Sequence, residues 1–144
     1  MATTRLLAAT HAVLLTAFLL VGCRRGPEPL TPVQGKVTYK GLPVTNGTIV
    51  FTPDGAKGGA GRIAFGKIGP DGAYALMTGE AQGATPGVYR VTVVSLANTD
   101  EPKAGERFRV PLSLLPEKYR DPELSELSCE VKASKTNVLD IALP

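Results

Sequence analysis

Histidine occurs once in this 144-residue chain, at His11, tryptophan not at all, and cysteine only as Cys23 and Cys129. His11 lies in an apolar leader, so a chain cut before Cys23 keeps no histidine. That removes the usual general base, the commonest zinc ligand, and any Ser-His or Cys-His nucleophilic pair. A catalyst would have to rest on carboxylates, lysines or tyrosines, and no paired arrangement of these stands out. The expectation is a protein that is not an enzyme and takes no cofactor and no metal. Asp54, Asp71, Asp100 and Glu101 could offer oxygens to calcium, but their irregular spacing reads as turn caps and solvated acids. A surplus of one charge sign is also missing. The 16 Lys and Arg are interleaved with 13 Asp and Glu, which argues against nucleic acid as a partner. The length admits one domain, and 16 Gly and 12 Pro within 43% hydrophobic residues describe a compact, turn-rich chain.

No hydrophobic run reaches the ~20 residues of a bilayer crossing. The longest, Ala12 to Gly22, is broken only by Thr16 and follows Arg5, the pattern of a signal-peptide core. It ends in Leu20-Val21-Gly22-Cys23, which resembles the lipobox of bacterial lipoproteins. The resemblance implies that Leu20, Val21, Gly22 and Cys23 are read by the signal peptidase and that residues 1–22 are removed. It also implies that Cys23 receives a diacylglyceryl group and that its new amine is acylated. Burial of about 0.8 kcal/mol per CH2 makes two or three acyl chains a durable anchor, so the partner implied is a membrane, reached through lipid. No Asp follows Cys23. By analogy with the enterobacterial sorting rule, the expected address is the cell envelope, at the outer membrane rather than the inner, on its periplasmic or surface face. Arg24 and Arg25 then sit beside headgroups, where each basic residue adds about 1 kcal/mol near an anionic surface, or serve as solvated linker charges. Residues 23–32 form a tether whose Pro27, Pro29 and Pro32 favour polyproline II geometry, a reach of roughly 28 Å.

From Val33 to Pro144 the chain reads as all-β. Short alternating or β-branched runs recur between Gly, Pro, Asn and Asp, and no long stretch has helical periodicity. The expected strands are Val33 to Lys40, Thr48 to Thr52, Arg62 to Lys67, Tyr74 to Met77, Val88 to Leu96, Glu126 to Lys132 and Val138 to Leu143. Inward residues are Val33, Gly35, Val37 and Tyr39, Ile49 and Phe51, Ile63 and Phe65, Tyr89, Val91 and Val93, and Leu139, Ile141 and Leu143. Turns are expected at Lys40-Gly41, Asn46-Gly47 and Gly69-Pro70-Asp71-Gly72. Pro53 to Gly61, Gly79 to Gly87 and Ala97 to Pro111 are expected loops, and Leu112 to Arg120 holds one helical turn. Alternation places Leu127, Cys129 and Val131 on one face, so Cys129 reads as a small buried hydrophobe. Seven such strands suggest an antiparallel β-sandwich.

Val33-Gln34-Gly35-Lys36-Val37, Lys40-Gly41-Leu42-Pro43-Val44 and Gly47-Thr48-Ile49-Val50-Phe51 resemble the opening of carboxypeptidase regulatory-like domains. Asp71-Gly72-Ala73-Tyr74-Ala75-Leu76 and Pro86-Gly87-Val88-Tyr89-Arg90-Val91 are similar to that family's two later signatures. Pro116-Glu117-Lys118-Tyr119, Ser125 with Leu127 and Val131, and Asn137 resemble the C-terminal half of small lipoproteins abundant in planctomycetes. The resemblance implies a seven-stranded antiparallel prealbumin-like (Ig-like, transthyretin-type) sandwich over residues 33–144. The family's module carries no zinc site, and nothing catalytic transfers with it. Tyr74 and Tyr89 are expected to pack their rings on the core and turn their hydroxyls to backbone acceptors.

Two functions remain. The first is a non-enzymatic, lipid-anchored envelope protein whose loop end contacts another envelope protein or polymer. The second is a carbohydrate-binding module, for which Phe108 and Tyr119 are the stacking residues expected to contact ligand, since Phe51 and Phe65 are assigned inward.

Overall fold

The computed structural model describes residues 29–97, 111–133 and 135–144. In chain order its strands are β1 (Val33–Tyr39), β2 (Leu42–Pro43), β3 (Gly47–Pro53), β4 (Ala64–Ile68), β5 (Ala73–Ala75), β6 (Met77–Thr78), β7 (Ala81–Gln82), β8 (Gly87–Val94), β9 (Ser128–Val131), β10 (Asn137–Val138) and β11 (Ile141–Leu143). They form two sheets. In the first, β1 lies between β2 and β5 on one side and β10 and β11 on the other. The second runs β7-β6-β4-β3-β8-β9, antiparallel throughout.

The sheets face each other across one core. Val33, Val37, Tyr74, Ile141 and Leu143 come from the first, and Ile49, Phe51, Tyr89, Val91, Val93 and Val131 from the second. Phe51 is the centre, with its ring 6.3 Å from that of Tyr74 and 5.8 Å from that of Tyr89, both tilted, the offset geometry that aromatic quadrupoles favour. The all-β expectation and its two-sheet form hold.

Local chemistry explains the connections. Lys40 and Gly41 both have positive φ, 50° and 80°, and join Tyr39 to its partner Leu42, the two-residue turn whose twist suits a hairpin. At Gly69–Gly72, Gly72 N donates to Gly69 O (3.0 Å) and Ala73 N to the Asp71 carboxylate (3.2 Å). A 3-10 turn at Glu117–Arg120 supplies the single helical turn expected there.

Three expectations are corrected. Ile63 and Phe65 do not point inward: they are 54% and 46% exposed, while Ala64, Gly66 and Ile68 face the core. Inner-face space beside β4 is already filled, since Phe51 is paired with Ala64 and Ile49 with Gly66. A Cβ on Gly66 would also lie 2.7 Å from Ala75 O. Only small residues fit, so the strand takes the opposite register. The expected strand Tyr74 to Met77 is divided at Leu76, where the chain passes from the first sheet (β5) to the second (β6). The last strand is not antiparallel to its neighbour. β10 and β11 run parallel to β1 in one continuous register, Val33 opposite Asn137 and Val37 opposite Ile141. Between them Leu139 N donates to Gln34 O (2.8 Å) and Lys36 N to the Asp140 carboxylate (2.8 Å).

Candidate functional site

Strand direction sorts the loops into two ends. Thr31 bridges to Ala84, Asn137 N donates to Pro32 O (2.9 Å), and Thr85 Oγ1 donates to Ala60 O (3.3 Å). Residues 29–32, the described end of the expected tether, therefore join the sandwich at the end that carries the Pro53 to Gly61, Gly79 to Gly87 and 132–136 connections. The far end gathers the Lys40-Gly41 turn, the Gly69–Gly72 turn and residues 112–120. Ala97 N donates to Leu112 O there (2.8 Å).

Three polar devices hold the tether end. Asn137 shapes the loop before β10: its Oδ1 accepts from Lys132 N (2.9 Å), and its Nδ2 donates to Lys132 O and Lys135 O (3.0 Å each). Tyr89 OH donates to Thr85 O (2.8 Å) and lies 2.7 Å from Thr85 Oγ1, which ties the 79–87 connection to β8. Asp54 is the third. It is 3% exposed and caps the 3-10 turn Gly55–Lys57 by accepting from Ala56 N (3.2 Å). It also meets Arg90 Nε at 3.2 Å and Lys57 Nζ at 3.9 Å, while Arg90 continues to Glu123. Burial pulls the Asp54 carboxyl upward, but the bond and charge of Arg90, the Ala56 N–H and Lys57 outweigh it and hold the group below the usual carboxylate range. Glu123, followed by Asp54, holds the Arg90 guanidinium protonated.

These side chains line a polar cleft of about 200 Å3 with Glu126 and Ser128. A guanidinium already occupies the space between the two acids, so an incoming metal would have to displace it. Among the described residues no group of three or more His, Cys, Asp or Glu converges to hold a metal.

Tyr74 OH donates to Leu139 O (2.5 Å), and burial raises its hydroxyl well above the ordinary tyrosine range. Both tyrosines thus do what the sequence led us to expect. Tyr119 does not open to solvent. It is 1% exposed and its hydroxyl donates to Pro144 O (3.2 Å), leaving no ring face for a sugar. Cys23 with Leu20, Val21 and Gly22, and Phe108 with Asp100 and Glu101, lie outside the described residues. Cys129 is half-buried on β9, and burial pushes its thiol up, away from the thiolate form that reacts. Asp71 caps its turn, and Glu117 pairs with Arg120 at 3.0 Å.

Sequence reasoning missed two surfaces. Phe65 stands outward between Val50 and Met77, with Gln82 beyond Met77 on the same row. At the far end Tyr39, Leu42, Val44, Leu114 and Leu115 line an apolar groove of about 170 Å3, where Leu42 is 71% exposed. The exposed Leu42 directly after the Lys40-Gly41 turn was the available signal for the second. Among the described residues no helix is long and apolar enough to cross a membrane. No protein-family model matches the chain, and neither a curated protein nor a solved structure matches it.

Proposed function

We propose that this chain is a non-enzymatic, lipid-anchored protein of the cell envelope, at the outer membrane where there is one, in which a prealbumin-like sandwich is held at a lipid leaflet and meets another envelope component through its loops. The observation that carries this reading is the sequence Leu20-Val21-Gly22-Cys23 after a short apolar run, followed by a proline-rich tether. Supporting it, that tether feeds a single end of the sandwich at Thr31 and Ala84. The far end, with its exposed leucines, is left pointing away from the anchor. The conspicuous polar groups of the domain are spent on capping and on tying loops together, the arrangement of a scaffold.

Mass spectrometry of the mature amino terminus tests the reading. Cleavage before Cys23 with a diacylglyceryl adduct is expected, together with loss of membrane fractionation in Cys23→Ala. An uncut leader or an unmodified Cys23 overturns it. The outward Phe65 favours a second reading, carbohydrate binding, because an exposed ring between Val50 and Met77, with the exposed Gln82 beyond Met77 on the same row, suits a sugar's apolar face. A glycan array on which Phe65→Ala abolishes a signal supports that alternative, and silence across the array removes it.

A further inference from the structure

The tether end carries exposed cations outside its ion pairs, alongside the exposed acids Glu80 and Glu130. Arg62, Lys132 and Lys135 are exposed there and make no ion pair among the described residues. Lys132 and Lys135 belong to the loop that the Asn137 amide fastens, with three hydrogen bonds to their backbones, so both are presented from a built platform. Most cations of the far end are engaged differently, although Lys67 on β4 is exposed and makes no ion pair among the described residues. Lys36 faces Asp71 at 3.7 Å and Arg120 faces Glu117 at 3.0 Å, while Lys40 and Lys118 lie over the rings of Tyr39 and Tyr119 at 5.2 and 4.9 Å.

The chain ahead of the described domain ends at the same place. Arg24 and Arg25 follow Cys23 directly, and the tether rejoins the fold at Pro29 to Pro32. These residues line a cleft of about 320 Å3 together with Pro86, Ala133, Lys135 and Thr136. Position decides which charges matter, because attraction to a charged surface fades within a Debye length of about 8–10 Å. A short tether keeps its own end of the sandwich nearest the leaflet.

We infer that Arg62, Lys132 and Lys135, with the Asn137-held loop, form a docking face for an anionic lipid surface, which seats the sandwich tether-end down and leaves the far end free. The inference rests on the lipid-anchor reading for its orientation, but the face acts without the lipid, which allows the two to fail separately.

The test uses the mature chain with Cys23→Ser, so that no acyl group contributes, and measures co-sedimentation with vesicles of phosphatidylcholine alone or mixed with phosphatidylglycerol. Binding is expected only to the mixed vesicles and to weaken as salt is added. The triple variant Arg62→Gln, Lys132→Gln, Lys135→Gln is expected to lose about 100-fold in partition, at about fivefold per charge near the surface. A far-end triple of equal net charge, Lys40→Gln, Lys67→Gln, Lys118→Gln, should stay within about twofold of the parent. Equal losses in the two triples, or equal binding to the two vesicle types, overturn the docking face. Single Lys132→Gln and Lys135→Gln variants, each expected to lose about fivefold, repeat the test with less disturbance. Mass spectrometry of the natural amino terminus judges the anchor independently.

Discussion

Replacing Phe65 by Ala and, separately, Phe51 by Ala asks which face of β4 the core sees. Phe51 is fully enclosed between the rings of Tyr74 and Tyr89. Its truncation loses the transfer free energy of a buried ring and leaves a cavity that the two sheets cannot close, so about 3–5 kcal/mol is expected. Phe65, at 46% exposed, has surrendered only about half of the 1.5–3 kcal/mol that full burial is worth. No enclosed void follows its removal. About 1 kcal/mol is expected, the product of that half and the transfer term. Urea denaturation followed by circular dichroism, with m-values checked for equality, reads both. In a domain of this size 1 kcal/mol corresponds to about 4–8 °C in Tm, so the two variants should melt well apart. The reciprocal change, Ala64→Leu, forces a larger side chain against Phe51 and should cost about 1–3 kcal/mol. If Phe65→Ala proves as damaging as Phe51→Ala, β4 is registered one residue away from the arrangement described and the reasoning fails.

Asp54 sets part of the pH dependence. Its folded-state pKa is depressed, so it contributes stability that is present above its unfolded value near 4 and is lost as the pH falls through the lower folded value. Acid titration of unfolding should show a steeper loss in the parent than in Asp54→Asn, and identical slopes would contradict the assignment. At Cys129, where burial raises the thiol, alkylation by iodoacetamide at neutral pH should be slow in the folded protein and fast after unfolding, which a mass-shift time course measures; fast labelling of the native chain refutes the half-buried placement. Gly35→Ala would bring a Cβ to 2.0 Å from Leu139 O. A loss of about 3 kcal/mol or more is expected by thermal melt, and a neutral result would mean that the C-terminal strand does not lie against β1.

Most of the strands were legible because alternation is a direct imprint of a pleated, one-side-buried ribbon. Tyr89, Val91 and Val93 against Arg90 and Val94 leave one reading, and β8 takes it, although Thr92 on the outer side is covered as well. The turns were legible through residues that need positive φ or cap their own backbone, as at Gly41, Gly72 and Asp71. β4 failed because two alternations compete within it: bulk favours Ile63 and Phe65, whereas the available space favours Ala64 and Gly66. That space is defined by Phe51 and by the chain crossing at Ala75, neither of which is local. The break at Leu76 and the parallel direction of β10 and β11 were invisible for a related reason. Alternation reports which face is buried, but not which sheet a residue joins or which way its neighbour runs.

The functional groups divide along the same line. Asp54 reads among the turn-capping or solvated acids, but its partnership with Arg90 and Glu123 joins three segments far apart in sequence, and Arg90 on its own strand reads as an ordinary outward polar residue. The tether end shows the same dependence on topology. Arg62 sits in one loop and Lys132 with Lys135 in another, and nothing in the sequence links the two loops. They come to the end where the tether arrives because β1 leaves Thr31 and Pro32 beside Ala84 and Asn137, which in turn follows from the parallel pairing of β1 with β10. Had the last strand run antiparallel to β1, its preceding loop would have emerged at the far end and carried Lys132 and Lys135 away from residues 29–32. The direction of a single short strand therefore decides which charges share the end where residues 29–32 enter the fold. At Gly35 the C-terminal strand runs so close to β1 that a Cβ would lie 2.0 Å from Leu139 O, so the parallel pairing depends on a glycine there.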